Sequence, residues 1–185
     1  MKKNVSKKSR IKFPAYEPWI SNEDKKIVYE TLKQNMLTLG PKLEKFESDF
    51  CKYSKAKYAV AVSNCTAALH LSLMALGIGK GDEVIIPDLT FVADANAVLA
   101  CNAKPILTDI NKEDFFLSIS NIKKNITKKT KAIIPVHIYG QVCNIDEILD
   151  VAKDNNLKVI EDCAHAVGTF HKSKHAGTMG STGCF

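Results

Sequence analysis

The sequence predicts a doubly wound α/β fold with a mostly parallel β-sheet. Three features indicate this class. Several short apolar segments lack the polar–apolar alternation of a strand that faces water on one side. Segments of helical length separate them along the chain, and turns of small or polar residues follow their ends. Parallel strands that are joined through helices, with both faces of the sheet covered, produce this pattern.

Two helices are predicted before the first strand. Ser21 begins the first helix, with Asp24 three residues later as a variant of the capping box. This helix extends to about residue 35, and residues 39–41 (Leu-Gly-Pro) end it. The second helix places four large side chains on one face: Leu43, Phe46, Phe50 and Tyr53.

Strands and helices then alternate. The predicted strands are residues 58–62, 84–86, 106–108, 132–136 and 158–162. The predicted helices are residues 66–76, 93–101 and a third that begins at residue 144 or 146 and ends at residue 155. The polar, lysine-rich segment 111–131 is expected to contain a helix and a surface loop. This order supports one α/β domain over residues 13–185.

The positive charge of the chain is concentrated at its N-terminus. The net charge is +6, and residues 1–12 contain six basic and no acidic side chains, which leaves 20 basic and 20 acidic residues in the remainder. Nucleic-acid binding requires a basic stripe on a folded surface, so the sequence predicts no nucleic-acid partner. Residues 1–12 are interpreted as a disordered, solubilising tail.

Cysteine usage and hydropathy indicate a cytoplasmic protein. The six cysteines form no C-x-x-C pair, and several lie in apolar segments, as expected for reduced, buried thiols. No apolar segment is long enough to cross a membrane. The basic N-terminus is followed by FPAYEP (13–18) and not by the apolar region of a secretory signal.

The candidate site lies where strands end, because ligands of open parallel sheets bind outside the carboxyl ends of the strands. After the first predicted strand, SNCTAA (63–68) leads into a helix whose first amides can bind a phosphate. After the second, PDLTF (87–91) places Phe91 at the same edge, although a core position is the more common one for phenylalanine. After the last, Asp162 and His165 follow Glu161; buried acids of this kind require a cationic partner.

One ligand satisfies all three elements. A phosphate at Cys65 and Thr66, a flat ring against Phe91 and a basic ring nitrogen at Asp162 are the parts of pyridoxal 5'-phosphate (PLP). A carboxylate beside the pyridine nitrogen keeps it protonated, which its action as an electron sink requires.

Other patterns predict no further chemistry. His171 and His175 have metal-ligand spacing, but Lys172 and Lys174 lie between them. Because their positive charge opposes cation binding, we expect a surface loop and no metal. His137 ends an apolar strand and is interpreted as a packed, hydrogen-bonded histidine. The chain contains no G-x-S-x-G, G-x-G-x-x-G or P-loop motif.

Seven motifs occur in the same order and with similar spacing as in the DegT/DnrJ/StrS family of sugar aminotransferases, which the chain resembles over residues 13–185. They are LTLGP (37–41), SNCTAALH (63–70), GDEV (81–84), PDLTF (87–91), PVHIYG (135–140), EDCAHA (161–166) and GSTGCF (180–185).

The resemblance implies a fold, a site and a reaction. The fold is the aspartate-aminotransferase type (fold type I) in a homodimer, with residues 13–185 as the N-terminal part of the large, PLP-binding domain. The backbone at Cys65 and Thr66 would hold the phosphate, Phe91 would lie against the ring, Asp162 would pair with the ring nitrogen and His165 would approach the ring hydroxyl. The implied reaction is transamination of a nucleotide-linked 4-keto-6-deoxy sugar with glutamate as donor, for surface polysaccharide or amino-sugar biosynthesis. Amination at C4 and at C3 both remain open.

Two features depart from the family pattern. The family usually has glycine at the position of Cys65, where the backbone approaches the phosphate closely. The family's Schiff-base lysine follows the GSTGCF motif and would lie beyond Phe185, with the rest of the large domain and the small domain. We therefore expect these 185 residues alone to be inactive.

Two alternatives to an aminotransferase stay open at this point. One is a PLP-dependent nucleotide-sugar dehydratase, in which histidine replaces the lysine. The other is a non-catalytic regulatory protein that keeps only the PLP pocket. The residue at the lysine position distinguishes the aminotransferase from the dehydratase.

Overall fold

The computed structural model describes residues 18–185. The predicted basic tail, residues 1–12, lies outside the described residues. The chain divides into two compact units, with the boundary between Lys42 and Leu43. In the part of the chain that the structure describes, no helix has the length and apolar character needed to cross a membrane.

The first unit contains α1 (Asn22–Leu32) and the first residues of α2 (Pro41–Ser54). α1 begins with reciprocal capping: the Asp24 amide donates to Ser21 Oγ (3.0 Å) and the Ser21 amide donates to Asp24 Oδ2 (2.7 Å). The helix predicted from Ser21 is therefore confirmed. α2 begins at Pro41, whose fixed φ suits the first helical position.

The second unit contains a five-stranded parallel sheet and a short hairpin. The sheet strands are β1 (Glu83–Pro87), β2 (Lys104–Thr108), β3 (Thr130–Ile133), β4 (Lys158–Asp162) and β7 (Thr182–Cys184); the hairpin strands are β5 (Phe170–His171) and β6 (Lys174–His175). The sheet order is β2-β1-β3-β4-β7, and each pairing is parallel. β2 and β3 lie on opposite sides of β1, so the strand order reverses there and opens a crevice at the carboxyl ends of the strands.

Helices cover both faces of the sheet. Val84 and Ile86 of β1 belong to one hydrophobic core, whereas Ile85 between them belongs to the other. This alternation explains why the strands are apolar throughout, and it confirms the doubly wound α/β prediction. The helices are α3 (Cys65–Ala75) and α4 (Ala93–Ala100) on the first core, and α5 (Ile119–Asn125) and α6 (Ile145–Asp154) on the second.

Residues 58–62, predicted as the first strand, do not form one. Within residues 18–185 this segment pairs with no strand, and the Ala61 amide instead donates to the Glu47 carboxylate (2.9 Å). A cleft of about 850 Å³ lies between the segment, α3 and β7. An apolar segment becomes a strand only where a neighbouring strand edge completes its backbone hydrogen bonds, and in the described residues no such edge adjoins it.

Candidate functional site

Asp162 ends β4 and is nearly buried, with 4% of its surface exposed. Its Oδ1 accepts a hydrogen bond from the Ala164 amide (2.9 Å) and one from the Cys65 thiol (3.6 Å). In residues 18–185, no donor reaches its other oxygen. A carboxylate that is buried and only half satisfied is ready to pair with a cation.

The N-terminus of α3 lies beside Asp162. Asn64 caps the helix: its Oδ1 accepts from the Ala67 amide (2.9 Å) and its carbonyl accepts from the Ala68 amide (3.1 Å). The Cys65 and Thr66 amides have no acceptor in the described part of the chain. With the positive end of the helix dipole, these two amides can bind a phosphate.

Cys65 fits this turn without backbone strain. It is the first residue of α3 and is not among the non-glycine residues with positive φ in the described chain. Its thiol is directed at the Asp162 carboxylate, and burial, followed by the charge of Asp162, raises the pKa of the thiol, so it stays protonated. A cysteine in place of the family's glycine therefore does not crowd the free amides.

Phe91 and His165 are exposed at the same sheet edge. Phe91 follows β1 and is 74% exposed, so it does not occupy the core position that is more common for phenylalanine. The ring of His165 stacks on Tyr139, with ring centroids 5.8 Å apart and planes inclined by 17°. Tyr139 has φ 54°, a strained value for a residue with a Cβ. Both rings are thus available to a ligand.

Glu161, the other acid of the motif, belongs to the core and not to the pocket. It is fully buried, and its carboxylate accepts from His137 Nε2 (2.9 Å) and from the amides of Gly177 (2.8 Å), Met179 (2.7 Å) and Gly180 (2.6 Å). Burial alone would raise the pKa of Glu161, but the hydrogen bonds from His137, Gly180 and Gly177 lower it below its ordinary value. His137 is packed and hydrogen-bonded, as predicted.

The buried trio of His137, Glu161 and Cys163 brings three potential metal-ligand atoms within 4.8 Å of one another. Both Glu161 oxygens already accept N–H donors, and His137 Nδ1 accepts from the Cys143 amide (3.2 Å). A cation would have to break these bonds, so the trio acts as a hydrogen-bonded core cluster.

His171 and His175 do not converge. The His171 ring pairs with Asp146 (2.7 Å) near the surface. His175 is buried and accepts from the Gly168 amide (3.0 Å). The metal-ligand spacing of this pair therefore reflects a hairpin with one outward and one inward histidine.

Asp94 was not among the site residues predicted from the sequence. This residue lies in the first turn of α4, is fully buried and comes within hydrogen-bonding reach of Asp162. Burial, followed by the charge of Asp162, raises the pKa of Asp94 to about 7. Its signal was the one charged residue in a helix of otherwise uncharged residues, which is separated from the end of β1 by five residues.

A ligand with a phosphate, a flat ring and a basic ring nitrogen fits this edge, because free amides, an exposed aromatic ring and a half-satisfied buried carboxylate lie together there. Pyridoxal 5'-phosphate, at the carboxyl edge of a doubly wound sheet, is a ligand with these parts. The model of the DegT/DnrJ/EryC1/StrS aminotransferase family matches residues 18–185, and the chain belongs to this family.

Three relatives define the similarity more closely. The GDP-perosamine synthase of Escherichia coli O157:H7 is 44% identical over 173 residues, which are 93% of this chain and 48% of that protein. The aminotransferase from Psychrobacter cryohalolentis is 35% identical with a TM-score of 0.86, covering 91% of this chain and 44% of that one. Spr1654 from Streptococcus pneumoniae, a putative sugar aminotransferase solved in its PLP form, is 30% identical with a TM-score of 0.88. The match covers 91% of this chain and 47% of that one. The chain thus spans about half the length of the relatives that it matches.

Proposed function

We propose that residues 13–185 are the N-terminal part of the large, PLP-binding domain of a PLP-dependent aminotransferase. The proposed reaction transfers the amino group of glutamate to a nucleotide-linked 4-keto-6-deoxy sugar, for surface polysaccharide or amino-sugar biosynthesis. We propose that the protein is cytoplasmic, in keeping with its six free cysteines, and that it is a homodimer, as the family resemblance implies. These 185 residues alone are proposed to be inactive, because the resemblance puts the Schiff-base lysine beyond Phe185.

The half-satisfied Asp162 carboxylate beside the free amides of α3 carries this proposal. The site places an anionic carboxylate next to a helix terminus that binds anions. A ligand with a cationic ring matches the carboxylate, and the phosphate of the same ligand matches the helix terminus. The name of the 44% identical relative, GDP-perosamine synthase, supports a nucleotide-linked sugar as the substrate class.

Each site residue then has a defined task. PLP bound at this edge would supply an electron sink. Asp162, fixed by the Ala164 amide, holds a proton on the ring nitrogen. The Cys65 and Thr66 amides bind the phosphate, Phe91 shields the ring from water, and His165, ordered by its stack on Tyr139, contacts the ring hydroxyl.

The direct test uses the purified full-length protein with PLP, glutamate and a GDP-linked 4-keto-6-deoxy sugar. An amino sugar and 2-oxoglutarate in equal amounts, with ping-pong kinetics, would support the proposal. Loss of a sugar hydroxyl without nitrogen transfer would instead identify a dehydratase. Tight PLP binding with no turnover of any keto-sugar would favour a regulatory protein.

Asp162→Asn tests the role of the carboxylate. We expect turnover to fall about 100-fold or more with the fold intact, because the neutral amide no longer stabilises a protonated ring nitrogen. Asp150→Asn, an exposed position on α6, is the matched control and should retain wild-type turnover. Turnover near the wild-type rate in Asp162→Asn would contradict the assignment.

A further inference from the structure

Asp94 has an unsatisfied oxygen in a fully buried position. The Thr90 hydroxyl donates to its Oδ2 (2.6 Å), which fixes one side of the carboxyl group. Its Oδ1 is buried and has no hydrogen-bond partner among the described residues. A buried polar atom without a partner costs free energy, so an oxygen in this position requires an explanation.

A second carboxyl group explains this oxygen. Asp162 lies within hydrogen-bonding reach of Asp94, and its Oδ1 is held by the Ala164 amide and the Cys65 thiol. Two ionised carboxylates only accept hydrogen bonds and repel each other. One proton between them removes the repulsion and gives the unsatisfied oxygen its partner.

The other groups around this pair are neutral. The titratable side chains that face Asp94 are Asp162 of β4, the Cys65 thiol of α3 and the Cys184 thiol of β7. The charged residues of β1 and β2, Glu83 and Lys104, are the first residues of their strands and pair with each other (3.9 Å). Burial raises the pKa of Cys184 to about 11, and that of Cys65 is raised as well. No lysine, arginine or histidine of the described chain forms an ion pair with either carboxyl group.

We propose that Asp94 is a positioning residue that shares one proton with Asp162 and so keeps the pair at a single negative charge, directed toward the ring nitrogen of the cofactor. The proposal rests on the proposed function for the identity of that cation, but the shared proton itself does not depend on it. Burial and the charge of Asp162 raise the pKa of Asp94 to about 7, so the pair gives up its proton near neutral pH.

The cofactor-free protein provides the first test. A carboxyl group whose pKa is raised by folding stabilises the protein at low pH, and this contribution is lost between its ordinary pKa of 3.8 and about 7. In Asp94→Asn the amide donates permanently and does not titrate. Between pH 5 and 7 the unfolding constant of the wild type, relative to Asp94→Asn, should therefore rise by about tenfold per pH unit and level off above that range.

The experiment measures urea unfolding of the full-length, cofactor-free protein at half-unit steps from pH 5 to 8.5, for the wild type, Asp94→Asn and Asp88→Asn. Asp88 is exposed after β1 and serves as the matched control, whose profile should follow the wild type. Parallel profiles for the wild type and Asp94→Asn would overturn the proposal. If Asp94→Asn does not fold, infrared spectra of the wild type decide: a buried protonated carboxyl band must be present at pH 6 and disappear by pH 8.5.

PLP titration separates this inference from the proposed function. At pH 7, Asp94→Asn should bind PLP within about threefold of the wild type, because its amide still orients Asp162, whereas Asp94→Leu should bind at least about tenfold more weakly. Equal affinities of the two variants would overturn the positioning role. A wild-type protein that binds no PLP at any pH would contradict the proposed function, while the unfolding profiles would still decide whether the proton is shared.

Discussion

Replacement of Glu161 by glutamine should destabilise the protein strongly without touching the proposed cofactor site. Glu161 is fully buried and accepts four hydrogen bonds, three of them from the loop of residues 177–180 that leads into β7. His137 Nδ1 accepts from the Cys143 amide, so its Nε2 carries the proton and donates to Glu161. The carboxylate therefore connects β4 to the loop that leads into β7 through hydrogen bonds.

The expected loss of stability follows from the number of N–H donors that lose their acceptor. A glutamine side chain keeps one acceptor oxygen, and its NH₂ group faces two N–H donors that are then unsatisfied. Each such loss at a charged, buried acceptor costs about 1.5–3 kcal/mol, so we expect the two losses to cost roughly 3–6 kcal/mol. Since a folded domain is stable by only about 5–15 kcal/mol, the effect is large.

Urea unfolding of the full-length protein at pH 7 measures this change. Glu147→Gln, at an exposed position on α6, is the control and should lie within about 0.5 kcal/mol of the wild type. The pKa of Glu161 is lowered by folding, so its contribution is present above the ordinary value of 4.5 and is lost as pH falls below it. The difference in free energy of unfolding between the wild type and Glu161→Gln should therefore decrease below pH 4.5. Coincident unfolding midpoints at pH 7 would show that other contacts hold the loop.

Two further predictions concern the proposed cofactor site. Cys65→Gly should change the affinity for PLP by less than about threefold, because the thiol is directed at Asp162 and not at the free amides. PLP titration of the cofactor-free protein measures this affinity. A tenfold higher affinity in the variant would show that Cys65 crowds the phosphate. Phe91→Ala should leave the unfolding midpoint unchanged, since the ring is 74% exposed, yet weaken PLP binding about tenfold by the loss of ring stacking. Wild-type affinity in that variant would remove Phe91 from the site.

Much of the fold follows from local pattern. The strands at β1, β2 and β4 and the helices α3, α4 and α6 were predicted because apolar runs and helical periodicity are properties of short segments. The position of Asp162 at a carboxyl strand end was predicted in the same way, since parallel strands place these ends on one edge.

Where the local sequence pattern predicted the wrong structure, the outcome depended on contacts with residues distant in sequence. Residues 58–62 have the composition of a strand, but strand formation depends on an adjacent edge, which the described chain does not provide. The hairpin β5–β6 and strand β7 have only two or three residues each, too few for a period to be recognised.

The sequence by itself determined the class of fold, the strand-end motifs and the chemistry that they favour, because these depend on neighbours along the chain. Only the tertiary structure showed what surrounds each of the two adjacent acids of β4. Successive strand residues point to opposite faces, so Glu161 meets His137 and the loop before β7, while Asp162 meets Cys65 and Asp94. Asp94 lies 68 positions before Asp162 in the sequence, and only the packing of α4 against the sheet brings the two carboxyl groups together.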